Sequence, residues 1–173
     1  PCKVRAAVFD DGSKRVALVG TDTLMIPRHL VLTVRKAIDH ETGIAGEAIL
    51  IGASHSHSSG PIGMVQPGDY DHASELVQKL AYEQSSAADP GFLKYVEKQI
   101  ISAVLQANGQ RRALACGVGS GYEKEAAFNR RFRMTNGQTH THPRQGNPNV
   151  IRPAGPTDPE VGVIGTFDEN SNL

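Results

Sequence analysis

The stretch Ala48-Ile49-Leu50-Ile51-Gly52-Ala53-Ser54-His55-Ser56-His57-Ser58-Ser59-Gly60-Pro61 decides how the chain is to be read. Its opening, Ala48 to Gly52, is a short continuous apolar run that predicts a buried strand. The residues after Gly52 are small, polar and histidine-bearing, and they close on Gly60-Pro61. A strand that opens into such a loop presents side chains where α/β sheets carry their sites, beyond the carboxyl end of a strand.

On the N-terminal side of this stretch, Gly43 is a natural helix stop, and Pro27 suits a first helical turn, where a missing N–H costs nothing. Between them Leu30, Val31, Val34, Ala37 and Ile38 recur at helical spacing and form one apolar stripe. Before the helix, Arg15 to Gly20 reads as a strand; its run Val16-Ala17-Leu18-Val19 is continuous, which predicts cover on both faces. Val4 to Phe9 is its hairpin partner across Asp10-Asp11-Gly12-Ser13. Strand, helix, strand in this order predicts a right-handed βαβ crossover. The expected fold class is therefore α/β, a mixed β-sheet with flanking helices.

On the C-terminal side, Gly60, Pro61, Gly63, Pro67 and Gly68 keep the chain irregular. Asp71 to Glu83 predicts a short helix with Ala73, Leu76, Val77 and Leu80 as its apolar face. Asp89-Pro90 reads as an N-cap and first-turn proline, opening a helix to about Ala107 whose inward face is Leu93, Val96, Ile100, Val104 and Ala107, with Asn108-Gly109 closing it. Arg112 to Ser120 and Val161 to Phe167 are further strand candidates. Between them, 136–160 predicts a long irregular Gly/Pro-rich loop over the surface, anchored by Val150-Ile151. Asp168 to Asn172 reads as a turn with no return strand. A domain rarely stops at a hairpin tip, since half its ladder would be unpaired. The expectation is a single partial domain, 1–173, a truncated part of a larger one that lacks its C-terminal portion.

Composition narrows the function classes. The 173 residues are 39% hydrophobic and 21% charged, in the range of a globular domain. Eighteen acidic residues balance eighteen basic ones, so no long-range attraction to nucleic acid or anionic membrane is predicted. No apolar run is long enough for a transmembrane segment. Two cysteines, Cys2 and Cys116, are too few for a disulfide framework and read as small buried or incidental thiols.

The chemistry lies mainly in His55 and His57. In extended chain, residues i and i+2 point the same way, roughly 7 Å apart. Two imidazoles can then face one cavity, either as two metal ligands or as a ligand beside an acid/base; as ordinary loop residues they would do neither. The flanking serines and Gly60 leave room for a metal or substrate, and their hydroxyls can orient an imidazole. The His-x-His-x-Asp pattern of metallo-β-lactamases is not met, because Ser59 stands at the aspartate position. His140 and His142 form a second His-x-His, either a surface loop or, with the first pair, a self-contained four-nitrogen site. Asn129-Arg130-Arg131-Phe132-Arg133 offers guanidinium groups able to grip an oxyanion, or a solvated basic strand with alternate arginines facing water. Asp22 either orients a histidine or serves structurally. Neither a phosphate loop nor a Gly-x-Ser-x-Gly elbow occurs.

With these residues in view, the chain resembles the N-terminal catalytic region of neutral/alkaline non-lysosomal ceramidases. The similarity begins at Arg5-Ala6-Ala7-Val8-Phe9-Asp10-Asp11-Gly12 and is sharpest at Ala53 to Pro61, which looks like the family's Thr-His-Thr-His-Ser-Gly-Pro loop with one extra serine. It resumes at Ala127-Phe128-Asn129-Arg130 and Asp158-Pro159-Glu160-Val161-Gly162-Val163. The resemblance implies a zinc-dependent hydrolase of N-acyl amide bonds that splits ceramide into sphingosine and fatty acid, acting on a lipid-like substrate. It further implies His55 as a zinc ligand, His57 beside the metal, Arg130 lining the active site, later ligands outside this chain, an isolated chain without activity, and an extracytoplasmic or secreted location. One departure is Arg131-Phe132 after Asn-Arg, where the characterised enzymes have Ser-Pro.

Overall fold

The computed structural model describes residues 2–168 and packs as two compact units, Pro1–Arg112 and Ala113–Leu173. The expected turn after Asp168 lies outside the described residues.

The first unit is a mixed sheet with helices. Strands β1 (Val4–Asp10) and β2 (Arg15–Thr21) pair antiparallel around the Asp11 turn, and β3 (Ile49–Ala53) pairs parallel with β2 after helix α1 (Arg28–Thr42). A 3-10 turn, Gly46–Ala48, replaces the first residue of the predicted strand. The turn between β1 and β2 is closed by Asp11, whose carboxylate accepts the N–H groups of Lys14 and Ser13 and the Ser13 hydroxyl. Those donors, the Lys14 N–H foremost, hold the Asp11 carboxyl at about 2, below its usual 3.8.

The sheet is covered on one face only, which corrects the expectation for β2. Ala17, Val19 and Thr21 are buried, while Val16 is exposed. The register explains the division: Ala17 lies opposite buried Ile49, and Leu18 lies opposite exposed Leu50. The inner face meets Leu30, Val34 and Ile38 of α1 and Leu93, Val96, Ile100 and Val104 of α3 (Pro90–Gly109) in one core. Arg35 fixes β3 beneath α1 by donating from Nε and Nη2 to the Ile49 carbonyl at 2.9 and 2.7 Å.

Helix ends follow the sequence signals. Gly43 takes a left-handed φ of 69° and returns its N–H to the Asp39 carbonyl at 2.7 Å, ending α1. Asp89 caps α3 by accepting the Phe92 N–H at 2.6 Å, with Pro90 at the first helical position. Helix α2 (Glu75–Tyr82) is shorter than predicted, and its supposed inward face is open: Leu76 and Leu80 are exposed, and Ala81 is its buried residue.

The second unit is all β. Strands β4 (Ala115–Tyr122) and β8 (Glu160–Phe167) form an antiparallel ribbon. A separate three-stranded sheet, in the order β6-β5-β7, contains β5 (Arg131–Met134), β6 (Thr139–Thr141) and β7 (Val150–Pro153). Strands β6 and β7 fall inside 136–160, so that stretch is not a structureless loop. Its glycines lie outside the strands, Pro153 ends β7 opposite Phe132, and the residues of β6 and β7 complete the ladder of β5. Cys2 and Cys116 are both free and exposed, not buried.

Two outcomes are expected. Replacing Asp89 by Ala removes the cap and lowers stability by about 1 kcal/mol, read as a fall in thermal midpoint of about 4 °C. The Asp11 carboxylate contributes stability that is present above its unfolded value of 3.8 and lost as pH falls toward about 2. A carbon-13 titration of the Asp11 carboxyl should place its midpoint near the lower figure, and Asp11→Ala should flatten stability across that window.

Candidate functional site

Because β2 and β3 run parallel with Thr21 opposite Ala53, the segments that leave them emerge side by side. Backbone hydrogen bonds continue past the strands: the Ser54 N–H donates to the Thr21 carbonyl at 2.9 Å, and the Ser56 N–H to the Thr23 carbonyl at 3.1 Å. The Leu24 N–H donates to Ser59 Oγ at 3.2 Å, closing the histidine loop onto the other exit.

Beneath this lacing lie two buried hydroxyls. Thr21 Oγ1 and Thr23 Oγ1 are 2.8 Å apart; Thr21 also reaches the Gly52 carbonyl at 3.2 Å, and Thr23 the Met25 carbonyl at 3.1 Å. Each hydroxyl has one proton, so at most two of these three contacts are hydrogen bonds at a time, the Thr–Thr bond being made when one hydroxyl turns from its carbonyl toward the other oxygen. The exits are therefore held by polar contacts inside an apolar layer, where an unmade bond is expensive.

This frame positions His55. Its Nδ1 lies 2.8 Å from the Leu24 carbonyl, and a carbonyl only accepts, so Nδ1 carries a proton and, in the neutral ring, Nε2 is the nitrogen with the lone pair. The backbone there is left-handed, with φ of 59°, a conformation in which histidine is enriched among residues other than glycine. The left-handed residue breaks the extended geometry expected from the sequence. His57 is brought beside His55 by the turn instead, with ring centroids 4.8 Å apart and planes at 89°. Both imidazoles are exposed. The loop is pinned further on, where the Asp89 N–H donates to the Pro61 carbonyl at 2.8 Å, and Gly63, with φ of 38°, passes so close to Ser86 and Ala88 that a Cβ would lie 2.4 Å from their backbone. Asp22 is a structural residue here, accepting the Lys3 N–H at 3.0 Å and pairing with Arg5 at 3.3 Å.

In the second unit, Arg130 immediately precedes β5 and is exposed. Asn129 sets its backbone, donating from Nδ2 to the Gly155 carbonyl at 3.0 Å and accepting the Arg131 N–H at 3.0 Å. Arg130 lines a groove of about 600 Å³ with Phe128, Phe132, His142, Arg144 and Val150. The sequence pattern did not single out Phe128, Phe132 or Arg144 for this groove; it forms only when the turn after β6 folds back, with His142 and Arg144 at φ of 58° and 71°. His140 lies on β6, 3.3 Å from Gln138 Oε1. Among the described residues no three His, Cys, Asp or Glu side chains converge on a possible metal position. Among them, too, no helix is long and apolar enough to cross a membrane.

The chain shares its fold with part of two solved ceramidase structures. One is a ceramidase complexed with C2 (TM-score 0.58, 19% identity) and the other is neutral ceramidase from Pseudomonas aeruginosa (TM-score 0.58, 20% identity). Each match covers 98% of this chain and 24% of the other, so the chain spans about a quarter of their length. No protein-family model and no curated protein sequence matches it.

The frame can be tested apart from any activity. Thr23→Val removes one of the two shared protons while keeping shape, and should cost about 1 kcal/mol. Amide exchange at Ser56 should accelerate about fivefold, the same energy read locally, while amides in α3 keep their protection.

Proposed function

We propose that the chain is a portion of a zinc-dependent hydrolase of N-acyl amide bonds, ceramidase-like in substrate class, in which His55 is a metal ligand and His57 and Arg130 serve the reaction. The observation that carries this reading is the Nδ1–H bond of His55 to the Leu24 carbonyl, which leaves Nε2 to bind a metal and fixes the ring in the manner usual for ligating histidines. The shared fold with part of ceramidase structures supports the choice of reaction class.

His55 is the residue that would hold the zinc. The metal, when bound, would polarise the amide carbonyl and lower the pKa of a water at neutral pH. A catalytic zinc takes about three protein ligands. Activity on this reading belongs to a longer polypeptide, and the 173 residues alone are inactive. His57, edge-on to His55, exchanges a proton with the attacking water or the leaving amine. Arg130 offers two parallel N–H groups to the oxygen on which negative charge develops as the carbonyl carbon becomes tetrahedral. An acyl chain requires apolar surface near that arginine, and Phe128, Phe132 and Val150 supply it in the same groove. An extracytoplasmic or secreted location accompanies this reading.

Phe132 favours a second substrate reading. It stands in the segment that departs from the characterised ceramidases and forms part of the groove wall, so an amide or ester other than ceramide is the alternative.

The test uses the longest native polypeptide that contains this chain, against a panel of N-acyl amides and esters. His55→Ala should lower both zinc content and kcat/KM by more than about 100-fold. His57→Gln should keep its zinc and lose about 10²–10⁴ in kcat. Unchanged zinc content and turnover in His55→Ala would overturn the assignment and leave a binding domain on the same scaffold.

A further inference from the structure

Serines stand at 54, 56, 58 and 59 of the histidine loop, and the structure uses them differently. Ser54 and Ser56 donate backbone N–H groups to the exit of β2, and Ser58 donates its own N–H to Ser56 Oγ at 3.4 Å. At Ser59 the side chain makes the contacts. Its Oγ accepts the Leu24 N–H at 3.2 Å and donates to the Gly60 carbonyl at 3.4 Å. The residue is half-buried, and its hydroxyl is turned to backbone.

Leu24 depends on that hydroxyl. It lies past the end of β2, where the sheet ladder no longer holds it. Among the described residues Ser59 Oγ is the acceptor of its N–H, its carbonyl receives His55 Nδ1–H at 2.8 Å, and its side chain packs against the core. Two residues of one loop, four positions apart, therefore grip the same leucine, one through a ring and the other through a hydroxyl. Exposed His57 lies between them in the chain. The Ser59 end of this clamp is the firmly seated one. Gly60 lies so close to Phe92 of α3 that a Cβ there would be 2.4 Å from the ring, and the Pro61 carbonyl accepts the Asp89 N–H at 2.8 Å. Order thus passes from the N-terminus of α3 through Gly60 and Ser59 to Leu24, and from the Leu24 carbonyl to His55.

We infer that Ser59 is a positioning residue for His55: by holding Leu24 it keeps the proton of the neutral ring on Nδ1 and the lone pair on Nε2. Without the hydroxyl, the Leu24 N–H loses its acceptor, the carbonyl of the same residue is free to turn from the ring, and the Nε2–H form competes. That Nε2 then receives a metal rests on the function proposed above; the tautomer does not.

The experiment is nitrogen-15 NMR of the His55 ring in the 173-residue chain, at a pH where the imidazole is neutral, which identifies the nitrogen that bears the proton. Ser59→Ala should lower the ratio of Nδ1–H to Nε2–H forms about fivefold, the factor that one neutral hydrogen bond is worth. Ser59→Thr keeps the hydroxyl and should restore the ratio, and Ser58→Ala should leave it unchanged. An unaltered ratio in Ser59→Ala, or an equal fall in Ser59→Thr or Ser58→Ala, would overturn the inference. So would unprotected amide exchange at Leu24 in the unsubstituted chain, a measurement that needs no variant to fold. In the longest native polypeptide containing the chain, Ser59→Ala should also weaken zinc binding about tenfold. A fallen tautomer ratio with unchanged zinc affinity would leave Ser59 in its role and remove the metal from His55.

Discussion

The parallel pairing of β2 with β3 is the constraint on which the candidate site depends. Parallel strands need a crossover, and α1 supplies it, so the two strand ends meet at the same edge of the sheet. Loops from distant parts of the sequence then lie within backbone hydrogen-bonding distance. Ser54 and Ser56 extend the ladder into the region where Thr21 and Thr23 satisfy each other in the core. His55 is held by this frame, through Ser54, Ser56 and Ser59 of its own loop.

The tautomer of His55 shows how a fold tunes a side chain without burying it. The ring is exposed, yet the Leu24 carbonyl fixes the proton on Nδ1 and directs the free lone pair to Nε2. Leu24 belongs to the exit of β2, and its backbone N–H is in turn held by Ser59 of the histidine loop. Donor and acceptor thus pass in both directions between the two exits, and neither loop can shift without breaking a bond of the other.

The second unit is organised by a different principle. Its three-stranded sheet has little apolar depth, and the alternation along β5 separates arginines from Phe132 and Met134. The turn after β6 uses left-handed residues to bend His142 and Arg144 toward the groove shared with Arg130. The run Arg130-Arg131-Phe132-Arg133 is visible in the sequence, but the side of the sheet on which Arg131, Arg133 and Arg152 gather shows only when register assigns residues to faces.

Much of the fold was legible in the chain itself. The helical spacing of Leu30, Val34 and Ile38, the cap at Asp89-Pro90, the stop at Gly43 and the Asp-Gly hairpin are local signals, each fixed by interactions within a few residues. The adjacency of His55 and His57 was legible for the same reason, although its geometry was not. Other features depended on distant partners. Cover on one face of β2, the exposed flank of α2 and the strands hidden in 136–160 depend on which surfaces other elements reach, and hydrophobic pattern cannot specify that. The proton on Nδ1 of His55 was decided last, by a carbonyl 31 residues away that only the tertiary structure brings within 2.8 Å.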